Sequence, residues 1–131
     1  MTAFVDTNIL VRHLTGDPPA QAARATRYLE AAGELLLADL ILAELAYVLG
    51  SFYEAPRAQV AETLRAVLAF PAIRVADTEL LQRAVEIYDI HRLDFADAYL
   101  VANAERTGIG VVVSFDHAID RVGTVRRVEP R

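Results

Sequence analysis

A chain of 131 residues that is 54% apolar and 24% charged has the size and composition of one compact domain, with no sign of disorder or low complexity. It contains no cysteine, which excludes a disulfide framework, a thiolate metal site and a thiol nucleophile, and fits a reducing cytoplasm. The formal charge is −5 and all 13 basic residues are arginine, so any chemistry that needs a lysine is excluded; a broad basic surface for nucleic acid is not expected, but that objection is only partial, since Arg126, Arg127 and Arg131 form a basic tail.

Short apolar runs alternate with longer amphipathic ones along the whole chain. The first strand is predicted at residues 3–5, where Ala3-Phe4-Val5 runs straight into Asp6. No basic and then apolar leader opens the chain, so secretion is not expected. Helices follow at 8–14 and 20–32, with Pro18-Pro19 at the break and Gly33 after the second. Residues 35–52 are the one membrane-like stretch, but their two acids cancel the apolar gain on an insertion scale, and the segment is read as a strand at 35–38 and a buried helix at 40–52. Further helices are predicted at 57–69, 78–91 and 95–107, with strands at 73–76, 110–115 and 125–128. Gly33, Gly50 and Gly108 stand where helix ends favour a left-handed residue. The alternation predicts βα units around a parallel sheet, in one domain over residues 1–131: a three-layer α/β/α sandwich with its first strand central.

Four carboxylates stand out by their surroundings. Asp6 directly follows the first strand, at the carboxyl edge where open α/β sheets bind ligands; the other reading is a helix N-cap. Glu44 is the single charge in Leu40-Ile41-Leu42-Ala43-Glu44-Leu45-Ala46-Tyr47-Val48-Leu49. A helix apolar on every side is expected to be buried, and a buried carboxylate needs a cation, either a metal or an arginine. Asp97 falls in the first turn of the helix at 95–107, with Asp94 as its expected N-cap; stabilisation by the helix dipole is the alternative. Asp116 ends the run Val111-Val112-Val113-Ser114-Phe115 at another strand's carboxyl edge, where it could also cap a short helix beginning at His117.

Together these four acids are expected at one edge of one sheet. Two carboxylates about 5 Å apart repel by roughly 3 kcal/mol at an effective dielectric near 20, so a cluster of them calls for divalent cations. A site of oxygen donors alone favours hard ions, Mg²⁺ or Mn²⁺, which activate water and stabilise charge on a phosphodiester. His13, His91 and His117 have no metal-ligand spacing with one another. Arg12, behind Asp6 on the first helix, is a candidate contact to substrate phosphate or a partner, with an ordinary surface arginine as the alternative. Phe52, Tyr53 and Phe95 are read as core or interface aromatics.

Asp6-Thr7-Asn8-Ile9-Leu10, Ala43-Glu44-Leu45, Asp94-Phe95-Ala96-Asp97-Ala98 and Ser114-Phe115-Asp116 in this order and spacing resemble the PIN domain, in particular its VapC toxin branch. The resemblance covers nearly the whole chain. It implies a parallel sheet of four or five strands, Mg²⁺ or Mn²⁺ at the acids, endoribonuclease activity on RNA and a cognate VapB-type antitoxin. With the high apolar content, it also implies a homodimer. Asp6, Glu44 and Asp97 match the family's three near-constant acids and Asp116 its more variable fourth. Thr7, Asn8 and Ser114 match supporting polar positions that orient the carboxylates or hold water. Asp39 departs from the pattern, which often has a neutral residue there; it is read as the N-cap of the helix carrying Glu44. A phosphoacceptor receiver domain, also α/β with acids at the sheet edge, relies on a lysine that this chain lacks. A PIN scaffold without catalysis is disfavoured by the presence of all four acids.

Overall fold

The computed structural model describes residues 2–131. Among the described residues, five short strands, all paired in parallel, alternate with helices to give an α/β sandwich. β1 (Thr2–Phe4) pairs with β2 (Glu34–Leu36), and β2 with β3 (Ile73–Arg74), in the register Ala3 to Leu35 to Ile73. β4 (Val111–Val113) pairs with β5 (Arg126–Val128). The strands therefore form a sheet of three and a sheet of two, and β1 lies at an edge of the first instead of at the centre of one sheet. Strands of two or three residues bury little side-chain surface of their own. Helix packing sets the layout here.

The helices follow their punctuation. α1 (Thr7–Thr15) is capped by Asp6, whose carboxylate accepts the Thr7 N–H at 2.8 Å, and ends on Gly16 at φ +72°. α2 (Pro19–Ala31) starts on a proline, where no intrahelical N–H partner is lost, and α4 (Arg57–Ala69) follows Pro56. Asp77 caps α5 (Thr78–Glu86) by accepting the Leu80 N–H at 3.1 Å. α6 (Phe95–Thr107) ends on Gly108 at φ +76°. Gly33 and Gly50, expected to be left-handed, are not, because α2 leaves through an extended Ala32 and Gly50 lies inside a continuing helix.

That continuation is a π-helical turn, Val48–Phe52, which extends α3 (Asp39–Tyr47) to the predicted end of its helix. A second, Ile87–His91, extends α5 in the same way. The core joins Leu35 of β2, Leu42 and Leu45 of α3, Val60 and Leu64 of α4, Leu81 and Val85 of α5, and Ala98 and Val101 of α6. α3 corrects the sequence reading. It buries Leu42, Leu45 and Ala46 but leaves Leu40 (76% exposed), Glu44 and Tyr47 (71%) on an outer face, so Glu44 is a solvent-facing carboxylate. Apolar residues all around a helix were evidence of burial on one side and of an uncovered apolar stripe on the other.

Candidate functional site

Asp97 occupies the third position of α6, on the flank of the helix's buried face, which carries Phe95, Ala98, Val101 and Ala102. Its carboxyl is half-buried and its pKa is raised, first by burial, then by a hydrogen bond with Asp116 and by the negative charges of Asp116 and Asp94. Like charges held this close call for a compensating cation. Asp94, at the N-cap position of α6, makes no capping bond with its side chain, so its charge adds to the pair instead of satisfying the helix end.

Asp116 stands at the start of the short 3₁₀ turn His117–Arg121 that follows β4. It is exposed, and one carboxylate oxygen accepts the Ala118 N–H at 2.9 Å. Its own N–H donates to Ser114 Oγ at 2.9 Å. Arg127 of β5 clasps this loop from behind. With its side chain 10% exposed, its guanidinium donates to Ser114 O at 2.9 Å, to both Asp120 oxygens at 3.1 and 3.2 Å, and to Glu129 at 3.2 Å. From the sequence this arginine reads as one of a basic C-terminal tail; only the fold brings it under the Asp116 loop.

Arg57 was equally illegible. Its guanidinium donates to the Tyr88 and Leu93 carbonyls at 2.8 and 2.7 Å and stacks 4.3 Å from the Tyr88 ring centre, fixing the segment that leads into Asp94. Asp39, expected as an N-cap, is the first residue of α3 after an Ala38 cap. Its carboxylate accepts the Tyr99 hydroxyl at 2.6 Å, joining the helix of Glu44 to that of Asp97 and raising the Tyr99 pKa.

Asp6 is exposed after β1, with its carboxylate engaged in the α1 cap. Thr7 beside it is 3% exposed, and its hydroxyl is buried without a hydrogen-bond partner among the described residues. Asn8 is exposed on the first turn of α1. Among the described residues, no three His, Asp or Glu side chains are gathered closely enough to hold a metal ion. The structure thus brings Asp97 and Asp116 into contact with Asp94 nearby, and leaves Asp6 and Glu44 outside such a cluster.

The donor chemistry of the pair fits a hard divalent cation. Its oxygens are carboxylate, and the like charges need neutralising. A cation of this kind placed against a phosphodiester supports hydrolysis.

Residues 3–125 match the PIN domain family, and the chain belongs to it. PIN domains are generally nucleases. Among solved structures, one similar chain comes from the crystal structure of VapBC2 from Rickettsia felis bound to a DNA fragment from their promoter. It is 15% identical over 100% of both chains, with a TM-score of 0.39. No curated protein matches. No helix is long and apolar enough to cross a membrane among the described residues.

Proposed function

We propose that this chain is a Mg²⁺- or Mn²⁺-dependent endoribonuclease, the toxin component of a type II toxin–antitoxin system, with its active site at Asp97 and Asp116 and with Asp6 and Glu44 completing the acid set. The observation that supports it most directly is the contact between two carboxyl groups at the start of α6, in a chain of the PIN family, with no arginine paired to either among the described residues. When bound, the divalent cation supplies Lewis acidity toward the scissile phosphodiester.

The remaining work falls to the protein. Asp97 and Asp116 present carboxylate oxygen donors side by side. Ser114 and Arg127 fix the loop of Asp116, and Arg57 fixes the approach to Asp94. Thr7 and Asn8 support Asp6. Water attacks phosphorus, one P–O bond of the RNA backbone breaks, and its oxygen leaves with a proton.

Two partner assignments accompany this reading. A VapB-type antitoxin rests on the motif resemblance. A homodimer is supported by the uncovered stripe Leu40, Tyr47 and Phe52, each more than 70% exposed. A cytoplasmic location agrees with the absence of cysteine.

The deciding experiment incubates the purified chain with labelled RNA in Mg²⁺, in Mn²⁺ and in chelator. Cleavage with metal, lost with chelator and lost in Asp97→Asn, is the expected result. Tight metal binding without cleavage would instead identify a scaffold. A short upstream reading frame encoding a DNA-binding protein is expected beside the gene, and size-exclusion chromatography with light scattering should report a dimer.

A further inference from the structure

The acid pair accounts for bond cleavage but not for how a chain of charge −5 holds a polyanion. A cleft of about 570 Å³ between α1 and α2 bears on that problem. Asn8, Ile9 and Arg12 of α1 face Gln21, Arg24 and Tyr28 of α2 across it. Among the described residues no carboxylate lines it, and its two charged side chains are both arginines.

The spacing explains the arrangement. Asn8 and Arg12 are four residues apart on one helix, and Gln21, Arg24 and Tyr28 recur at three and four on the other, so each set lies along a single helix face. Arg12 Nε donates to Gln21 Oε1 at 3.1 Å and its Nη1 to the Asp17 carbonyl at 3.4 Å, which holds its guanidinium across the cleft without neutralising it. Arg24 makes no ion pair or hydrogen bond among the described residues. Tyr28 offers a ring that is 49% exposed.

Arginines lining other clefts are already engaged. Arg83 and Arg106 bind Glu105 and Glu79, and Arg57 binds backbone carbonyls. The α1–α2 cleft keeps its positive charge free, and its Asn8 lies two residues after Asp6.

We propose that this cleft is a subsite for single-stranded RNA: Arg12 and Arg24 bind phosphate, Tyr28 stacks on an unpaired base, and Asn8 and Gln21 meet base edges. The inference rests on the nuclease reading above and names where its substrate is held. An unpaired strand is favoured over a duplex because an aromatic ring can stack only on a base that has left its partner, and duplex RNA hides base faces. The guanidinium groups of Arg12 and Arg24, which no carboxylate neutralises among the described residues, supply the phosphate contacts, with counterion release as the driving force.

The test uses the full chain and a fluorescein-labelled 12-nucleotide single-stranded RNA of mixed sequence. Binding is followed by anisotropy in chelator, and cleavage of the same RNA is followed in Mn²⁺. Arg24→Gln is expected to weaken binding about five- to tenfold and to reduce the salt slope by about one. Its cleavage defect should lie in KM, with kcat within about twofold of wild type. Tyr28→Ala should weaken binding similarly, while Tyr28→Phe, which keeps the ring, should restore it. Arg27→Gln removes the same charge from α2 outside the cleft and should match wild type.

The proposal is overturned if Arg24→Gln and Tyr28→Ala bind and cleave like wild type, if Arg27→Gln is as damaging as Arg24→Gln, or if duplex RNA competes as well as single strand. Unchanged RNA affinity in variants that lose a protein partner would assign the cleft to that partner and also overturn it. Melting curves within about two degrees of wild type exclude misfolding as the cause. Failure of the nuclease reading looks different: wild type then leaves the RNA intact in both metals, whatever the cleft variants do in the binding assay.

Discussion

At the N-terminal end of α6, Asp97 faces Asp116 and Asp94, and no arginine is paired with any of them among the described residues. At its C-terminal end, Arg83 grips Glu105 with two bonds of 2.8 and 2.9 Å and also binds Glu86, while Arg106 binds Asp77 and Glu79. One helix thus carries acids that are compensated and acids that are not. The chain has 13 arginines, and among the described residues four of them pair with carboxylates, so leaving the Asp97–Asp116 pair uncompensated cannot be ascribed to a shortage of cations. At the two ends of α6, the acid that stabilises has an arginine and the acid proposed to await a ligand does not.

The largest effect that should separate the two ends is catalytic. Asp97→Asn is expected to lower RNA cleavage by about 10²–10⁴-fold, whereas Arg83→Met should leave the cleavage rate near wild type. Equal losses in both variants would erase the distinction.

Stability should move in opposite directions. In chelator, Asp97→Asn removes a like-charge contact and should melt about 4 °C above wild type, corresponding to ~1 kcal/mol. Arg83→Met leaves Glu105 half-buried without its partner and should melt several degrees lower, for a cost of about 1–2 kcal/mol. Differential scanning fluorimetry reads both. Added Mn²⁺ should raise the melting point of wild type more than that of Asp97→Asn, since only binding to the folded state stabilises it. Asp97→Asn melting clearly below wild type in chelator would make Asp97 a structural acid.

The pH dependence follows with a smaller amplitude and opposite signs. The folded-state pKa of Asp97 is raised, so its contribution is fully present below the ordinary carboxylate pKa and is lost as pH rises through the raised value. The folded-state pKa of Glu105 is lowered, chiefly by its bonds to Arg83, so its contribution is present above the ordinary pKa and is lost as pH falls through the lowered value. Melting temperatures measured from strongly acidic to neutral pH in chelator should show Asp97→Asn flattening the loss on the rising side and Glu105→Gln the loss on the falling side.

The smallest effect concerns Arg127. Arg127→Met frees the Asp116 loop and should reduce kcat about tenfold, with little change in KM, because the loop positions a carboxyl and not the substrate. A loss confined to KM would remove that role.

Much of this was legible in the sequence, for local reasons. The helices at 57–69 and 95–107 have the predicted limits because Pro56, Asp94 and Gly108 mark chain directions that a helix cannot ignore. Asp97 and Asp116 were legible as site candidates because each sits where an apolar run meets a chain reversal. What could not be read depends on distant packing. The exposure of Glu44 follows from which face of α3 finds the core, and an evenly apolar helix carries little signal of that choice. The division of the strands into two sheets depends on whether β1 and β4 meet, which neither strand encodes. Arg57 and Arg127 reach carbonyls 31 and 13 residues away, and such contacts leave no periodic trace.

The divided sheet also sets which backbone amides are open to solvent exchange. In β1 the amide that follows the strand, at Val5, donates to Leu36 O at 3.0 Å, so the Phe4 amide points to the opposite, unpaired edge. After β4, Ser114 N–H donates to Val128 O at 3.0 Å, and Val113 points away in the same manner. Deuterium should enter rapidly at Phe4 and Val113, whose side chains are also 73% and 66% exposed, and slowly at Val5 and Ser114. A strand laid along either edge, from this chain or from another, would then register as new protection at one of two amides.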